Sequence, residues 1–309
     1  MDIKFHIYNE VAQASSSLRL RFPTVEVFDV TTGFPDPCAD VGAVRRVLFG
    51  LGGQLTQKII AHGIDWVQLL GTGVDAVSPE VFMAPIVTCS RGASAVPISQ
   101  YVFAAIRAYE KACARDAFDD GSVDNVKLLA GKTLGLLGLG GIGQQVAKAA
   151  LAFGMQVVAM RRHTELGSPV LGVDVVSSID ALVAHADHIV LAAPLTSCTH
   201  SLFNAQVFAA MKRGVHIINV ARGALIDQDA LRVALDSGVV ARASLDTVTP
   251  EPLPAGHWLY THPLVFLTPH VAWLSDNLFG VALDMFCDNF QRFVDGQPLL
   301  HTVNLADGY

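Results

Sequence analysis

Lys132-Thr133-Leu134-Gly135-Leu136-Leu137-Gly138-Leu139-Gly140-Gly141-Ile142-Gly143 decides how the rest of the chain is read. Its first half, Thr133–Leu137, is a short apolar run of the kind that forms a strand buried on both faces. Its second half spaces Gly138, Gly140 and Gly143 as G-x-G-x-x-G. A chain with 26 glycines can produce that spacing by chance, so the context carries the weight. A helical pattern over Gln144–Phe153 follows, and the next apolar run, Gln156–Met160, closes the unit within about thirty residues. In that setting Gly138 permits the tight turn, Gly140 lets backbone approach a pyrophosphate, and Gly143 lets helix pack closely on strand. The helix N-terminus then faces the anion. Gly138, Gly140, Gly141, Ile142 and Gly143 are therefore candidate dinucleotide-binding residues.

The end of the second run selects the dinucleotide. An NAD site usually carries Asp or Glu about 20 residues on, where it accepts from the ribose 2′-hydroxyl. Here Arg161 stands 23 positions beyond Gly138, followed by Arg162, His163 and Thr164. A carboxylate would repel a 2′-phosphate, whereas an arginine fork can hold one with two hydrogen bonds. The expectation is NADP(H) in preference to NAD(H), the bland reading of Arg161 and Arg162 being two solvated surface cations.

Outward from this unit the same alternation recurs. Apolar runs at Lys4–Tyr8, Val25–Val30, Arg46–Phe49, Trp66–Leu69 and Ile86–Thr88 precede it; His188–Ala192, His216–Val220, Ala241–Leu245 and Val265–Leu267 follow. Helical spacing at Asp180–Ala186, Ala205–Met211 and Asp227–Ser237 fills the gaps. Strand–helix alternation of this kind builds parallel sheets covered on both faces. Two long helical patterns, one from Pro97 to about Ala114 and one over Leu278–Val294, look like joints, and the polar stretch 115–126 precedes the glycine loop. The expected architecture is α/β with two doubly wound parallel-sheet domains. A Rossmann dinucleotide domain, 97–274, is inserted into a flavodoxin-like substrate domain made of 1–96 and 275–309.

Composition excludes several classes. The 309 residues are 51% apolar and 16% charged, with mean hydropathy +0.42, which describes a globular chain and not a disordered one. A net charge of −7 argues against a nucleic-acid partner. Cys38, Cys89, Cys113, Cys198 and Cys287 include no C-x-x-C pair, so neither a disulfide framework nor a zinc ribbon is expected. The first residues lack the apolar core of a secretory signal, and the apolar stretch 134–160 is broken by glycines, glutamines and Lys148, so no membrane helix is expected. A soluble, cytoplasmic location follows as the expectation. His185 and His188 flank Asp187 at the end of a helical pattern, too little for a metal site.

Three motifs lie at the C-terminal ends of candidate strands, where open α/β sheets bind ligands. They are Asn219-Val220-Ala221-Arg222-Gly223, Leu245-Asp246-Thr247-Val248-Thr249-Pro250-Glu251-Pro252 and Leu267-Thr268-Pro269-His270. Singly each is bland; in this order behind a dinucleotide loop they become specific. With Gly71-Thr72-Gly73-Val74-Asp75 and Pro194-Leu195-Thr196 added, the chain resembles the D-isomer-specific 2-hydroxyacid dehydrogenases over nearly its whole length. It is most similar to their glyoxylate/hydroxypyruvate reductases, through Arg161-Arg162 and the tail Val303-Asn304-Leu305-Ala306-Asp307-Gly308-Tyr309.

The resemblance implies reduction of a small 2-keto acid to the D-2-hydroxy acid. Arg222 clamps carboxylate and keto oxygens, His270 is the general acid, and Glu251 orients its imidazole. Backbone N–H groups of Thr72, Gly73 and Val74 hold the other carboxylate oxygen. Asp246 meets the nicotinamide carboxamide, and Pro194 joins the cofactor site. Trp273, three residues past His270, either narrows the substrate pocket or is an aromatic buried at a domain interface. Arg91 either reaches an anionic substrate group or is a solvated loop cation. Family members are typically dimers, so a homodimer is expected; the apolar face of 98–112 either forms the shared surface or packs the hinge. Gln100 stands where the family pattern has Glu. Rival readings are a dinucleotide-sensing corepressor, a dehydrogenase of a bulkier 2-hydroxy acid, and a 3-phosphoglycerate dehydrogenase.

Overall fold

The computed structural model describes residues 3–30, 44–53, 63–111 and 127–305. Cys38, Cys113, the stretch 115–126 and the last four residues of the tail, 306–309, lie outside the described residues. The chain divides into two compact units, Met1–Ala93 with Asp276–Tyr309, and Ser94–Ser275.

In the first unit five strands pair in parallel in the order β2-β1-β3-β4-β5. They are β1 (Lys4–Asn9), β2 (Glu26–Asp29), β3 (Val44–Gly50), β4 (Trp66–Leu69) and β5 (Ile86–Cys89). That is the flavodoxin-like order. Neighbouring residues send their side chains to opposite faces: Tyr8, Leu48 and Val67 enter one apolar cluster. Ile7, Val47, Phe49 and Trp66 enter the other, beneath the C-terminal helix Leu278–Val294. There Phe286 stacks on Trp66 with centroids 5.3 Å apart. Cover on both faces is why Val47, Leu48 and Phe49 follow one another as apolar residues although their side chains alternate between the two faces. After that helix the chain returns to the sheet edge, where Thr302 bridges Thr88 and Val303 N donates to Val87 O at 2.9 Å.

The second unit opens with α2 (Ala95–Glu110); Pro97 takes its third position, in a turn whose N–H groups have no helical partner anyway. Seven strands follow: β6 (Thr133–Leu137), β7 (Gln156–Met160), β8 (Val173–Val176), β9 (His188–Leu191), β10 (Val215–Asn219), β11 (Val240–Leu245) and β12 (Val265–Leu267). They pair in parallel in the order β12-β11-β10-β9-β6-β7-β8. This is the Rossmann order extended by a seventh strand, and the direction of winding reverses between β6 and β9. Helix α3 (Gly141–Ala152) packs with α2 on one face; α4 (Ile179–Val183), α5 (Ala205–Ala209) and α6 (Gln228–Asp236) cover the other.

Among the described strands and α-helices, two have no counterpart in the sequence reading. β8 is a four-residue edge strand, and α1 (Ser15–Arg21) is a serine-rich helix of about two turns whose Leu18 is buried while Leu20 is 84% exposed. Neither has a repeating apolar pattern long enough to detect.

The N-terminal edge of the second sheet holds a buried polar row. His188 opens β9, where the apolar run His188–Ala192 begins, and its Nδ1 lies 3.3 Å from Nδ1 of His216 on β10. Nε2 of His216 is 2.9 Å from Ser244 Oγ, and the Tyr109 ring packs 4.8 Å from the His216 ring. Nε2 of His188 lies 3.1 Å from Glu110 Oε1, off the line of a good hydrogen bond, and Lys132 Nζ lies 3.2 Å from the same oxygen. Burial pushes the Glu110 carboxyl up, but His188 and Lys132 outweigh it and hold it below its ordinary range. Burial first, then the neighbouring His188 and Arg242, pushes His216 well below the usual imidazole range.

Candidate active site

The opposite, C-terminal edge of the same sheet gathers the predicted motifs. Gly138 has φ 97°, and a Cβ there would come within 2.7 Å of the Ala192 carbonyl oxygen. At Gly143 a Cβ would lie 2.1 Å from the Gly138 carbonyl, so the helix can approach the loop only without a side chain. A Cβ at Gly140 would meet nothing within 4 Å; glycine there leaves open space beside the start of α3. That start has neither a side-chain cap nor an acidic residue in its first turn, so its positive pole is left for an anion. Open space, a left-handed turn and an uncapped helix are what a pyrophosphate requires.

Arg161 directly follows β7. It is half-buried and donates through Nη1 to Gly167 O at 3.0 Å, while Arg162 is exposed. A guanidinium has five N–H donors, so one bond fixes Arg161 and leaves others for a phosphate. Pro194, past the end of β9, is exposed; its carbonyl accepts from Thr199 Oγ1 at 2.8 Å.

Arg222 stands three residues beyond Asn219, the last residue of β10. Asn219 is buried, donates to Arg222 O at 2.8 Å and accepts from Ala221 N at 3.0 Å, which fixes the backbone that carries the guanidinium. Arg222 itself donates through Nη1 to Ala221 O at 2.8 Å. Glu251 and His270, 19 positions apart, meet with Oε2 and Nδ1 3.1 Å apart, both side chains rather more than a third exposed. The loop bearing Glu251 is held by Gln228 at the head of α6, which exchanges two hydrogen bonds with Thr249. Sequence reasoning missed Gln228, since nothing local marks a glutamine that bonds 21 positions away.

His270 has φ 55°, the left-handed region that a non-glycine residue enters at a cost of about 1–2 kcal/mol. Its N–H donates to Asp246 O at 3.0 Å, and its carbonyl accepts from the Trp273 indole at 2.7 Å. Trp273 also packs against the apolar cluster of its own unit, beside Ala272. Asp246 is 2% exposed. Its carboxylate accepts from Thr268 Oγ1 at 2.5 Å and from Val271 N and Ala272 N at 2.9 Å each.

On the first unit the loop after β4 carries Thr72, Gly73 and Val74. Ser90 N donates to Gly71 O at 3.2 Å and Thr72 Oγ1 to Ser90 O at 3.1 Å. Among the described residues, the N–H groups of Thr72, Gly73 and Val74 donate to no protein acceptor, as an anion cradle requires. Arg91 is half-buried at the same sheet edge. Burial and then Arg91 push the His301 imidazole below its ordinary range.

The sequence profile of "D-isomer specific 2-hydroxyacid dehydrogenase, NAD binding domain" matches residues 101–272, more than half of the chain. The chain belongs to the D-isomer-specific 2-hydroxyacid dehydrogenases. A crystal structure of a dehydrogenase of this family from Xanthobacter autotrophicus Py2, in complex with NADPH and MES, is 27% identical, superposes with a TM-score of 0.83 and covers 99% of both chains. Glyoxylate/hydroxypyruvate reductase A of Yersinia enterocolitica is 28% identical over 326 residues, 99% of each chain. D-3-phosphoglycerate dehydrogenase 2 of Arabidopsis thaliana is 42% identical over 159 residues. That match spans 51% of this chain and 25% of the plant protein; the match to glycerate dehydrogenase of Methylorubrum extorquens spans 52% of that enzyme. Among the described residues of this chain, no group of three or more His, Cys, Asp or Glu could hold a metal ion. None of its described helices is long and apolar enough to cross a membrane.

Proposed function

We propose that this dehydrogenase reduces a small 2-keto acid, of the glyoxylate or hydroxypyruvate type, to the D-2-hydroxy acid with NADPH. The observation that carries the reading is the His270–Glu251 pair, 3.1 Å apart, at the sheet edge that also bears Arg222 and the glycine loop. With Nδ1 turned to the carboxylate, Nε2 of His270 is the nitrogen left to protonate the carbonyl oxygen. Arg222 holds the substrate carboxylate as a planar fork, and the N–H groups of Thr72, Gly73 and Val74 take its second oxygen. The second unit is the NADP(H)-binding domain and the first the substrate domain. Trp273 keeps His270 in its turn and limits the space for the substrate side chain.

NADPH would supply the hydride to the carbonyl carbon, and one proton from His270 completes the hydroxyl. Gly138, Gly140, Gly141, Ile142 and Gly143 would hold its pyrophosphate, Arg161 and Arg162 its 2′-phosphate, and Pro194 and Asp246 its nicotinamide half. The NADPH in the Xanthobacter structure supports this preference, and the Yersinia reductase supports the substrate class. The same reading takes the enzyme as a cytoplasmic homodimer acting on a small-molecule acid.

The experiment follows NADPH and NADH oxidation by absorbance with glyoxylate and hydroxypyruvate, in wild type and in Arg222→Ala. Turnover with an NADPH preference that disappears in Arg222→Ala is the expected result. Tight dinucleotide binding with no turnover of any 2-keto acid would overturn the reading in favour of a dinucleotide sensor.

A further inference from the structure

The loop that carries His270 is tied down from a residue far away in sequence. Tyr101 lies in the second turn of α2, with its hydroxyl 2.7 Å from Thr268 Oγ1, across 167 positions of chain. The direction of the bonds follows from proton counting. Both oxygens of Asp246 accept, one from Ala272 N, the other from Val271 N and Thr268 Oγ1. Thr268 has a single hydroxyl proton and spends it on the carboxylate, so the phenol must donate to the oxygen of Thr268. The row therefore runs one way, from Tyr101 through Thr268 to Asp246, and ends on a buried negative charge that polarises each bond before it. Burial first, and then the nearby Asp246, hold the Tyr101 phenol above its ordinary range, so it keeps its proton.

Five hydrogen bonds hold the left-handed turn at His270: His270 N to both Asp246 O and Thr268 O, Val271 N and Ala272 N to the Asp246 carboxylate, and Trp273 Nε1 to His270 O. Two of the five end on the group that Thr268 orients. A turn in a sparsely populated backbone region persists only where its surroundings over-determine it. That turn is also what aims the imidazole at Glu251.

We infer that Tyr101 is a positioning residue for the reduction, its hydroxyl acting through Thr268 and the Asp246 carboxylate to hold the His270 loop in register. The inference rests on His270 being the proton donor, the reading given above.

The test is a cycle of Tyr101→Phe, Thr268→Val and the double variant in the whole enzyme, with Thr268→Ser as the conservative control. Tyr101→Phe lowers kcat about tenfold, the size of one lost orienting hydrogen bond, with KM for the 2-keto acid within about twofold. Thr268→Val gives a loss at least as large, Tyr101→Phe adds nothing to it, and Thr268→Ser restores kcat. Wild-type kcat in Tyr101→Phe, or losses that multiply in the double variant, would overturn the inference. If wild type reduces no 2-keto acid, the functional reading has failed, and the tie is then judged by amide hydrogen exchange at Val271 and Ala272. Faster exchange in Tyr101→Phe supports the tie; unchanged exchange refutes it.

Discussion

Gly223→Ala puts a methyl group where the fold has no room for one. A Cβ at Gly223 would lie 2.0 Å from the carbonyl carbon of Val248 and 2.2 Å from its oxygen. An ordinary contact begins near 3.4 Å, so the two backbones must separate by more than 1 Å. Neither side yields cheaply. Val248 lies between Asp246 and the Thr249 that Gln228 grips, and Gly223 follows Arg222, whose carbonyl Asn219 holds. Overpacking of this kind costs about 1–3 kcal/mol of stability. The larger effect is functional, because the strain pushes Arg222 and the Glu251 loop apart. A displacement of about 1 Å in a positioned group costs on the order of a hundredfold in rate. The assay is kcat/KM for the 2-keto acid, with thermal unfolding followed by circular dichroism. The expected result is a fall of about a hundredfold in a protein that still folds. An alanine variant within twofold of wild type would refute the claim that this close approach sets the geometry of Arg222.

Three further predictions concern separate parts of the site and fold. Glu251→Gln lowers kcat about a hundredfold while NADPH affinity, measured by fluorescence titration, stays within twofold, because the carboxylate touches His270 and not the glycine loop. Arg161→Ala weakens NADPH about tenfold and leaves NADH unchanged; equal loss with both would remove Arg161 from the 2′-phosphate. The buried His216 makes stability fall on the acid side. Its folded-state pKa is depressed, so below about pH 6.5 the unfolded chain takes up a proton that the folded one refuses, at up to about 1.4 kcal/mol per pH unit. That stability is present in full above pH 6.5 and is lost as pH falls toward the depressed value. Urea midpoints at several pH values should show a shallower slope for His216→Gln than for wild type, and equal slopes would count against the assignment.

What could be read from the sequence follows the physics of each element. Thr133–Leu137, Gln156–Met160 and Val265–Leu267 are strands to the residue; in the first, buried from Leu134 to Leu137, a polar residue would find no solvent on either face. The glycine loop was legible for a related reason: Gly138 and Gly143 meet backbone that no side chain could approach. Edge strand β8 and helix α1 bury too little to leave a pattern. Tyr101, Gln228 and the tie between Trp273 and the His270 carbonyl were illegible for another cause. Each is a polar contact made only once distant segments meet, and one hydroxyl or amide in a helix leaves no periodicity. The left-handed turn at His270 was likewise hidden, since histidine carries none of glycine's signal for that region.

The row at the far edge of the sheet has a consequence for heredity. The facing Nδ1 atoms of His188 and His216 are 3.3 Å apart, so one proton lies between two rings and one nitrogen must give while the other receives. An apolar residue at either position strands the nitrogen of its neighbour in a dry interior, at about 1–3 kcal/mol, whereas replacing both together removes donor and acceptor at once. The two positions thus constitute a single heritable character. Descendants of this sequence should keep both imidazoles or lose both, and intermediates with one should be short-lived.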